Sequence, residues 1–482
     1  MFQFQSIMDI ISSYFLQAPL YHIALESVLL LGIIWLVFRR SYGSYGRRKP
    51  RQLTPEEEDE VIANWNPEPL VPETDPNHYA LHPVYVEGKM GKYVSIEGKD
   101  YLNLATLNFL GLIGDSRIEE AAQKAVFKYG VGSCGPRAFY GTVDVHLDLE
   151  RDMAAFLRCE SSVLYSYGFA AVASAIPSYA KRGDVIFVDA GSNFAIQKGC
   201  QASRSRIEWF KHNDVADLER LLKEQAERDR KDPIKAKRTR RFMVVEGLYY
   251  NSGDVCPLPE LLALKWKYKV RIFIDESLSI GVLGQTGRGI LEHYNVDPTD
   301  VDLLMGSLEN AIGSTGGFVA GRHYVTDHQQ LSGSGYCFSA SLPPLLAVAA
   351  AEAFKIILAE PERLGKLREN VRRFYEGLQQ AVEESGSVFR IRTPLGQSPM
   401  IHLVCGGEEE RSYAEKEKLL DAVVAKAKEQ FLVLTRARYL VDEEVFSPEP
   451  SLRLCINQEL TNEELDRAVT IISTSLKAVT SS

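Results

Sequence analysis

The chain has 482 residues, 45% of them hydrophobic, which is enough for one large core and a smaller one and excludes an intrinsically disordered protein. A net charge of -9 supplies no broad basic face for neutralising phosphates, and so excludes a nucleic-acid binder. The seven cysteines, Cys134, Cys159, Cys200, Cys256, Cys337, Cys405 and Cys455, are scattered, odd in number and free of any C-x-x-C pair. They read as reduced, mostly buried thiols.

The N-terminus reads as a separate unit. From Ala18 to Phe38 runs an apolar stretch, densest from Val28 to Phe38, that is long enough to cross a bilayer at about 1.5 Å per residue. His22 and Glu26 weaken its first half. A secretory signal peptide lacks support, because the first basic residue is Arg39 and no small-residue cleavage site comes after it. A buried or in-plane amphipathic helix is the other reading. The cluster Arg39, Arg40, Arg47, Arg48, Lys49 and Arg51 comes after the apolar run, which by the positive-inside rule places the rest of the chain in the cytosol. The expected organisation is an anchor and linker over 1–60, an N-terminal arm over 61–100, a large domain over 101–344 and a small one over 345–482.

A charged linker, Thr54 to Glu60, and the non-helical Pro-rich run Trp65 to Pro72 lead into an alternating pattern. The helix over Ile118 to Lys128, with Ser116 and Glu119 spaced as a capping box, is succeeded by short apolar runs at Ser162–Tyr165, Asp184–Val188, Phe242–Val245, Ile272–Ile274 and Val301–Met305. Strands alternating with helices at this spacing predict an α/β fold with a mostly parallel sheet and helices on both faces. Glu224 to Arg241 reads as a charged, solvated loop. Beyond Pro344 the spacing predicts helices over Leu345–Ala359 and Pro361–Glu384, then short strands and a final helix from Thr461.

Gly130-Val131-Gly132-Ser133-Cys134-Gly135 satisfies G-x-G-x-x-G, but it sits after a helix, and Pro136 stands where a dinucleotide-binding helix would open. The glycines therefore read as a tight turn beside a site or an interface. Ser307 to Gly317 has the layout of a loop that presents one lysine to a pyridoxal phosphate aldehyde, with Asn310 at the lysine position. An amide cannot form the Schiff base. No lysine lies between Lys269 and Lys355.

Several motifs, in this order, resemble those of the α-oxoamine synthases: Leu107 to Leu112, Gly132 to Arg137, Glu246-Gly247 with Gly253 to Leu258, Asp275 to Leu278 with Gly281 to Gly284 and Thr286 to Gly289, and Phe338 to Pro344. The likeness spans about Asn103 to the C-terminus. It implies the fold-type I pyridoxal phosphate transferase architecture with a smaller C-terminal α/β domain, and condensation of an amino acid with an acyl-CoA with loss of CO2. By the same resemblance, Asp275 matches the carboxylate that pairs with the cofactor's ring nitrogen. The ring-stacking histidine falls on Asn193, a second histidine on Leu278 and the Schiff-base lysine on Asn310. For Asp275 the rival reading is a carboxylate held at a strand end by nearby backbone.

The resemblance also places sites at a dimer boundary, so Ser339 and Ser341 are candidates for reaching the cofactor phosphate of an opposite protomer. Ala340 replaces the family's threonine between them. Cys134 is either a group facing that boundary or a small buried hydrophobe, and Arg453 is either a holder of substrate carboxylate or half of a structural ion pair. No metal site is expected. The resemblance and the missing lysine together imply a non-catalytic, membrane-anchored subunit that completes a lysine-bearing second subunit, with pyridoxal phosphate bound by that partner. The resemblance further implies an endoplasmic reticulum membrane, a lumenal N-terminus, small membrane regulatory subunits and ORM-type partners. A self-contained enzyme with a displaced lysine is the alternative.

Overall fold

The computed structural model describes residues 19–38, 53–71, 73–76, 78–386, 388–407 and 411–480. The chain divides into two compact units, Met1–Pro83 and Val84–Ser482. In the first unit the apolar run forms the helix Leu20–Phe38. Among the described residues no helix is long and apolar enough to cross a membrane, so the expected span is not borne out as a span. Its uninterrupted apolar part begins only after Glu26, and from Val28 to Phe38 it extends about 16 Å against a hydrocarbon thickness of about 30 Å. Ala18 and the basic cluster from Arg39 to Arg51 lie outside the described residues.

Thr54 to Glu60, expected as a linker, opens the helix Pro55–Asn64 instead. Pro55 starts it where a missing N–H costs nothing, and Thr54 and Glu57 close a reciprocal capping box. From Trp65 to Val71 the chain is non-helical, as the prolines require.

In the second unit the strands are β1 (Tyr93–Ile96), β2 (Lys99–Asn103), β3 (Ser161–Tyr165), β4 (Val185–Asp189), β5 (Arg206–Phe210), β6 (Arg241–Glu246), β7 (Arg271–Asp275), β8 (Leu303–Ser307), β9 (Gly317–Gly321), β10 (Phe389–Ile391), β11 (Met400–Cys405), β12 (Leu432–Val433), β13 (Thr435–Arg436) and β14 (Ser451–Cys455). The main sheet has the order β3-β9-β8-β7-β6-β4-β5. From β5 through β8 all neighbours are parallel, and β9 runs antiparallel between β8 and β3. Helices cover both faces, so β4, β8 and β9 are buried along their whole length and read as apolar runs rather than alternating ones. One core, including Phe187, Met243, Ile272 and Leu304, fills one face, and a second, including Val188, Val244, Phe273 and Met305, fills the other.

The C-terminal part carries a four-stranded antiparallel sheet of order β10-β11-β14-β13. Behind it the helix Glu362–Glu384 buries Leu364, Leu367, Val371, Phe374, Leu378 and Ala381, one stripe at helical spacing. The β1-β2 hairpin joins this part of the chain: β12 pairs parallel to β2, with Leu432 opposite Leu102.

Three details differ from the sequence reading. Asp115, not Ser116, caps the helix Ser116–Tyr129, accepting from the Arg117 N–H at 3.1 Å. Glu224 to Arg241 is not a loop: it continues the helix Val215–Lys231 and holds the helix Pro233–Arg238. Leu218, Leu221, Leu222 and Gln225 are buried on one face of the first, and pairs such as Arg220–Glu224 at 2.7 Å lace the other. Strands β5 and β9 were missed, the one because Arg206 and Glu208 break its apolar run, the other because it begins and ends on glycine.

The Gly-rich turn is pinned from below. Arg137 donates to both oxygens of Glu150, at 2.8 and 3.1 Å, and Glu150 also accepts from the Leu164 N–H at 2.8 Å. Both side chains of this pair are at most 10% exposed. Arg137→Ala strands a buried carboxylate, and we expect it to lower unfolding stability by about 3–5 kcal/mol, read from urea melts of the two chains.

Candidate functional site

The carboxyl ends of parallel strands β4, β6, β7 and β8 converge, which is where α/β sheets place ligands. Each ends on a polar residue: Asp189, Glu246, Asp275 and Ser307. A cavity of about 420 Å³ opens there, lined by Glu246, Asp275, Leu278, Asn193 and Asn310, with Phe169, Phe194 and Tyr250 as aromatic walls. The structure thus gathers the four positions expected to be degenerate into one site.

Asn193 caps the helix Phe194–Ser203 with its side-chain oxygen, which accepts from the Ile196 N–H at 3.1 Å. Its side-chain amide donates to Asp275 Oδ2 at 2.9 Å, and its backbone N–H donates to Glu246 Oε1 at 2.7 Å. One residue therefore ties two buried carboxylates together. Asp275 Oδ1 accepts from the backbone N–H and hydroxyl of Ser277, at 2.9 and 2.5 Å, which is the backbone-held carboxylate that was its rival reading. Glu246 and Asp275 stand opposite each other on adjacent strands, each 2% exposed. Burial pushes the Glu246 carboxyl up to about 8, with the neighbouring Asp275 charge adding to it, and burial raises Asp275 as well.

Asn310 donates its side-chain amide to the Ser277 carbonyl at 2.8 Å. Leu278 is buried in the core. Glu309 reaches back to the start of the helix Gly168–Tyr179 and accepts from the Gly168 N–H at 3.1 Å, so a carboxylate of the chain itself occupies a position suited to an anion. Arg438 is the one cation among the described lining residues, and it is paired with Asp421 at 3.0 Å. Pyridoxal phosphate does not fit these residues. No amine lines the cavity among the described residues, the carboxylate suited to its ring nitrogen is taken by Asn193 and Ser277, and Glu309 repels a phosphate from the nearest helix start.

The remaining candidates lie elsewhere. Ser341 is buried, and its hydroxyl donates to the carbonyls of Gly135 and Gly141, at 3.0 and 2.5 Å, clamping the Gly-rich turn. Only glycine fits at 141, where an added Cβ would lie 1.8 Å from the Gly135 oxygen. No helix opens from Gly130–Gly135, so the dinucleotide motif is a decoy. Ser339 is half-buried on the neighbouring turn, and Cys134 is exposed rather than buried. Arg453 has no carboxylate within ion-pair range among the described residues, contrary to the expected ion pair. Its guanidinium lies 5.1 Å from the centre of the Tyr250 ring, donates to that tyrosine's hydroxyl and leaves Nε without a partner.

Among the curated relatives, the chain is 43% identical over 93% of its length to Serine palmitoyltransferase 1 of Dictyostelium discoideum, covering 92% of that protein. It is 44% identical to Long chain base biosynthesis protein 1 of Arabidopsis thaliana, over 74% of this chain and 72% of that one. Residues 99–472 match the family "Aminotransferase class I and II". This chain belongs to the serine palmitoyltransferase subunit 1 family, within the class I and II aminotransferases. The fold agrees: a solved serine palmitoyltransferase with pyridoxal phosphate as internal aldimine superposes with a TM-score of 0.72 at 26% identity, over 84% of this chain and 94% of that one.

Sequence reasoning missed Glu246, Glu309 and His212. His212 bridges Asp189 and Asp254, with both contacts at 2.8 Å, and so ties the ends of β4 and β5 to the loop after β6. Burial alone would lower its pKa, but hydrogen bonds to the two carboxylates override that and raise it to about 9. Because the folded value exceeds the unfolded one, the imidazolium's stabilisation is complete below about 6.5 and is lost as pH rises through about 9. Thermal melts at stepped pH should show stability falling across that window, and His212→Gln should flatten the slope. A second expectation concerns the missing lysine. Asn310→Lys alone should leave the purified chain without visible absorbance on incubation with pyridoxal phosphate, because Asn193, Leu278 and Glu309 still close the site.

Proposed function

We propose that this chain is the non-catalytic but required subunit of a serine palmitoyltransferase. That enzyme condenses L-serine with palmitoyl-CoA to 3-oxosphinganine, CoA and CO2 at the head of sphingolipid synthesis. A lysine-bearing second long-chain-base subunit holds pyridoxal phosphate and performs the chemistry; this chain stabilises it and completes its site. The observation that carries the reading is Asn310, a side chain that cannot form a Schiff base and is already bonded to the Ser277 carbonyl. A self-contained enzyme would need a displaced lysine, and none of the described residues lining the cavity is one.

A partner surface is supported by exposed apolar groups around the Gly-rich and Ser339–Ser341 turns. Phe127, Val131, Phe139, Tyr140 and Phe338 are each more than half exposed, and the two turns are joined by the Ser133 hydroxyl donating to the Ser341 carbonyl at 2.8 Å. Small membrane regulatory subunits and ORM-type proteins complete the proposed assembly. For placement, the helix Leu20–Phe38 exposes Val28, Leu29, Leu30, Leu31, Ile33 and Trp35 around its circumference. A helix apolar on every side calls for an apolar surrounding. We place it at the endoplasmic reticulum membrane, seated in the bilayer without crossing it, with the residues after the basic cluster on the cytosolic side.

The deciding experiment purifies the chain alone and with its co-expressed partner from membranes. The pair should carry a visible cofactor band and condense serine with palmitoyl-CoA, while the lone chain should do neither; a band or turnover from the lone chain would falsify the reading. On that pair, Cys134→Trp should alter serine kinetics or discrimination against alanine with little change in this chain's own melting. Cys134 is exposed and Gly132 has open space around it, so the added ring meets the partner rather than this chain's core. Deleting residues 1–40 should release the chain from membranes under carbonate extraction while its circular dichroism stays native-like.

A further inference from the structure

Opposite the site, at the amino ends of β6, β7 and β8, the surface is basic in an acidic protein. Two adjoining cavities of about 270 and 310 Å³ open there, both bordered by Arg271, Asp302 and Tyr324. Lys265, Trp266, Lys269 and Arg322 line the first, and Arg240, Tyr179 and His328 line the second. The one acid bordering them among the described residues is already neutralised: Asp302 Oδ2 accepts from Lys265 Nζ at 3.1 Å and from the Ile272 N–H at 2.9 Å. Arg240 is paired with Asp184 at 2.8 Å.

The remaining cations are not paired. Among the described residues Lys269 and Arg271 have neither a salt bridge nor a side-chain hydrogen bond, and Arg322 has only the Thr299 carbonyl at 3.5 Å. Elsewhere on the chain exposed lysines and arginines are commonly held, as Arg220 is by Asp217 and Glu224, or Lys267 by Glu219 at 2.5 Å. Three unpaired cations around one concavity form a local excess that the overall charge of -9 conceals. That net charge excludes a face of nucleic-acid size, but not a groove of this size. Two rings flank the cations: Trp266 is 61% exposed and Tyr324 64% exposed. Exposed aromatic faces beside guanidinium forks suit a ligand with an anionic head and a flat or apolar body.

We propose that this groove binds a phosphate-bearing ligand, with Arg271, Arg322 and Lys269 on the phosphate oxygens and Trp266 and Tyr324 against its body. Arginine forks match the geometry of phosphate oxygens, and a lysine at the rim adds a point charge. Such chemistry comes either from a soluble phosphate compound or from a phosphorylated lipid headgroup. The groove does not share a residue with the cavity at the other end of the strands, and the proposal does not rest on the chain being non-catalytic.

The test uses the full chain in detergent, titrated with inorganic pyrophosphate and, separately, with dioctanoyl phosphatidylinositol 4-phosphate. Binding is followed by calorimetry and by tryptophan emission. The expected result is a saturable heat that weakens as salt is raised, with an emission change that Trp266→Phe abolishes while the heat remains. Arg271→Ala combined with Arg322→Ala should bind about tenfold more weakly or worse for the loss of charge-assisted bonds. Tighter binding of pyrophosphate assigns a soluble ligand, and tighter binding of the lipid assigns a headgroup. The proposal is overturned if wild type shows no saturable heat with either probe at millimolar concentration, or if the double variant binds as wild type does. Should the double variant fail to show a native circular dichroism spectrum, Lys269→Asn, which suits the left-handed backbone there, gives the same comparison.

Discussion

The fold's most demanding constraint is the burial of two carboxylates side by side. Glu246 and Asp275 end neighbouring parallel strands with no cation paired to either among the described residues, a placement that costs several kcal/mol per charge unless it is relieved. Relief comes in two forms. Hydrogen bonds from Asn193, Ser277 and Tyr250 satisfy the oxygens, and the Glu246 carboxyl, pushed up to about 8 by burial, can hold a proton in place of a counter-charge. The start of the helix Phe194–Ser203, the turn after β7 and the loop after β6 are all positioned by these bonds. The same bonds that make the carboxylates tolerable also engage Asn193 and Asp275, two of the groups that line the cavity.

Charge is distributed along the main sheet in opposite senses. At the carboxyl ends, carboxylates from Asp189 to Asp275 gather, with His212 as a bridging cation between Asp189 and Asp254. At the amino ends, Arg240 and Arg271 lie at the starts of β6 and β7 beside Lys265, Lys269 and Arg322. Strand direction enforces the separation, since β4, β6, β7 and β8 all run the same way. The acids at the amino ends, Asp184 and Asp302, are held by Arg240 and Lys265, so the unpaired charge there is positive.

Much of this was legible in the sequence, for definite reasons. Strands β3, β4, β6, β7 and β8 showed because burial on both faces leaves no room for polar alternation. Asn193, Leu278 and Asn310 were found by their places in ordered motifs, and the fold does gather them around one cavity. The charged helix Val215–Lys231 was hidden because its buried stripe is narrow, so charge density masks the period. Asp115 and Ser116 are both good capping residues, and only backbone geometry decides between them. Glu246 belongs to one of the ordered motifs, but the sequence does not show that strand pairing sets it directly opposite Asp275. His212 gave no signal, because its two partners, Asp189 and Asp254, are distant in sequence and meet only through strand order.

The parallel pairing of β12 with β2 has a consequence for synthesis. Leu102 cannot find its neighbour until Leu432 has left the ribosome, and translation delivers only about 5–20 residues per second. Through that interval the β1-β2 hairpin, with the apolar side chains of Val94, Ile96 and Tyr101, waits without the strand and the Val433 side chain that later close over it. A two-stranded hairpin is marginal in water, so its packing waits on a loop closure across most of the second unit. Until then the free edge of β2 is an unpaired row of backbone groups, the kind of edge that invites pairing with another chain.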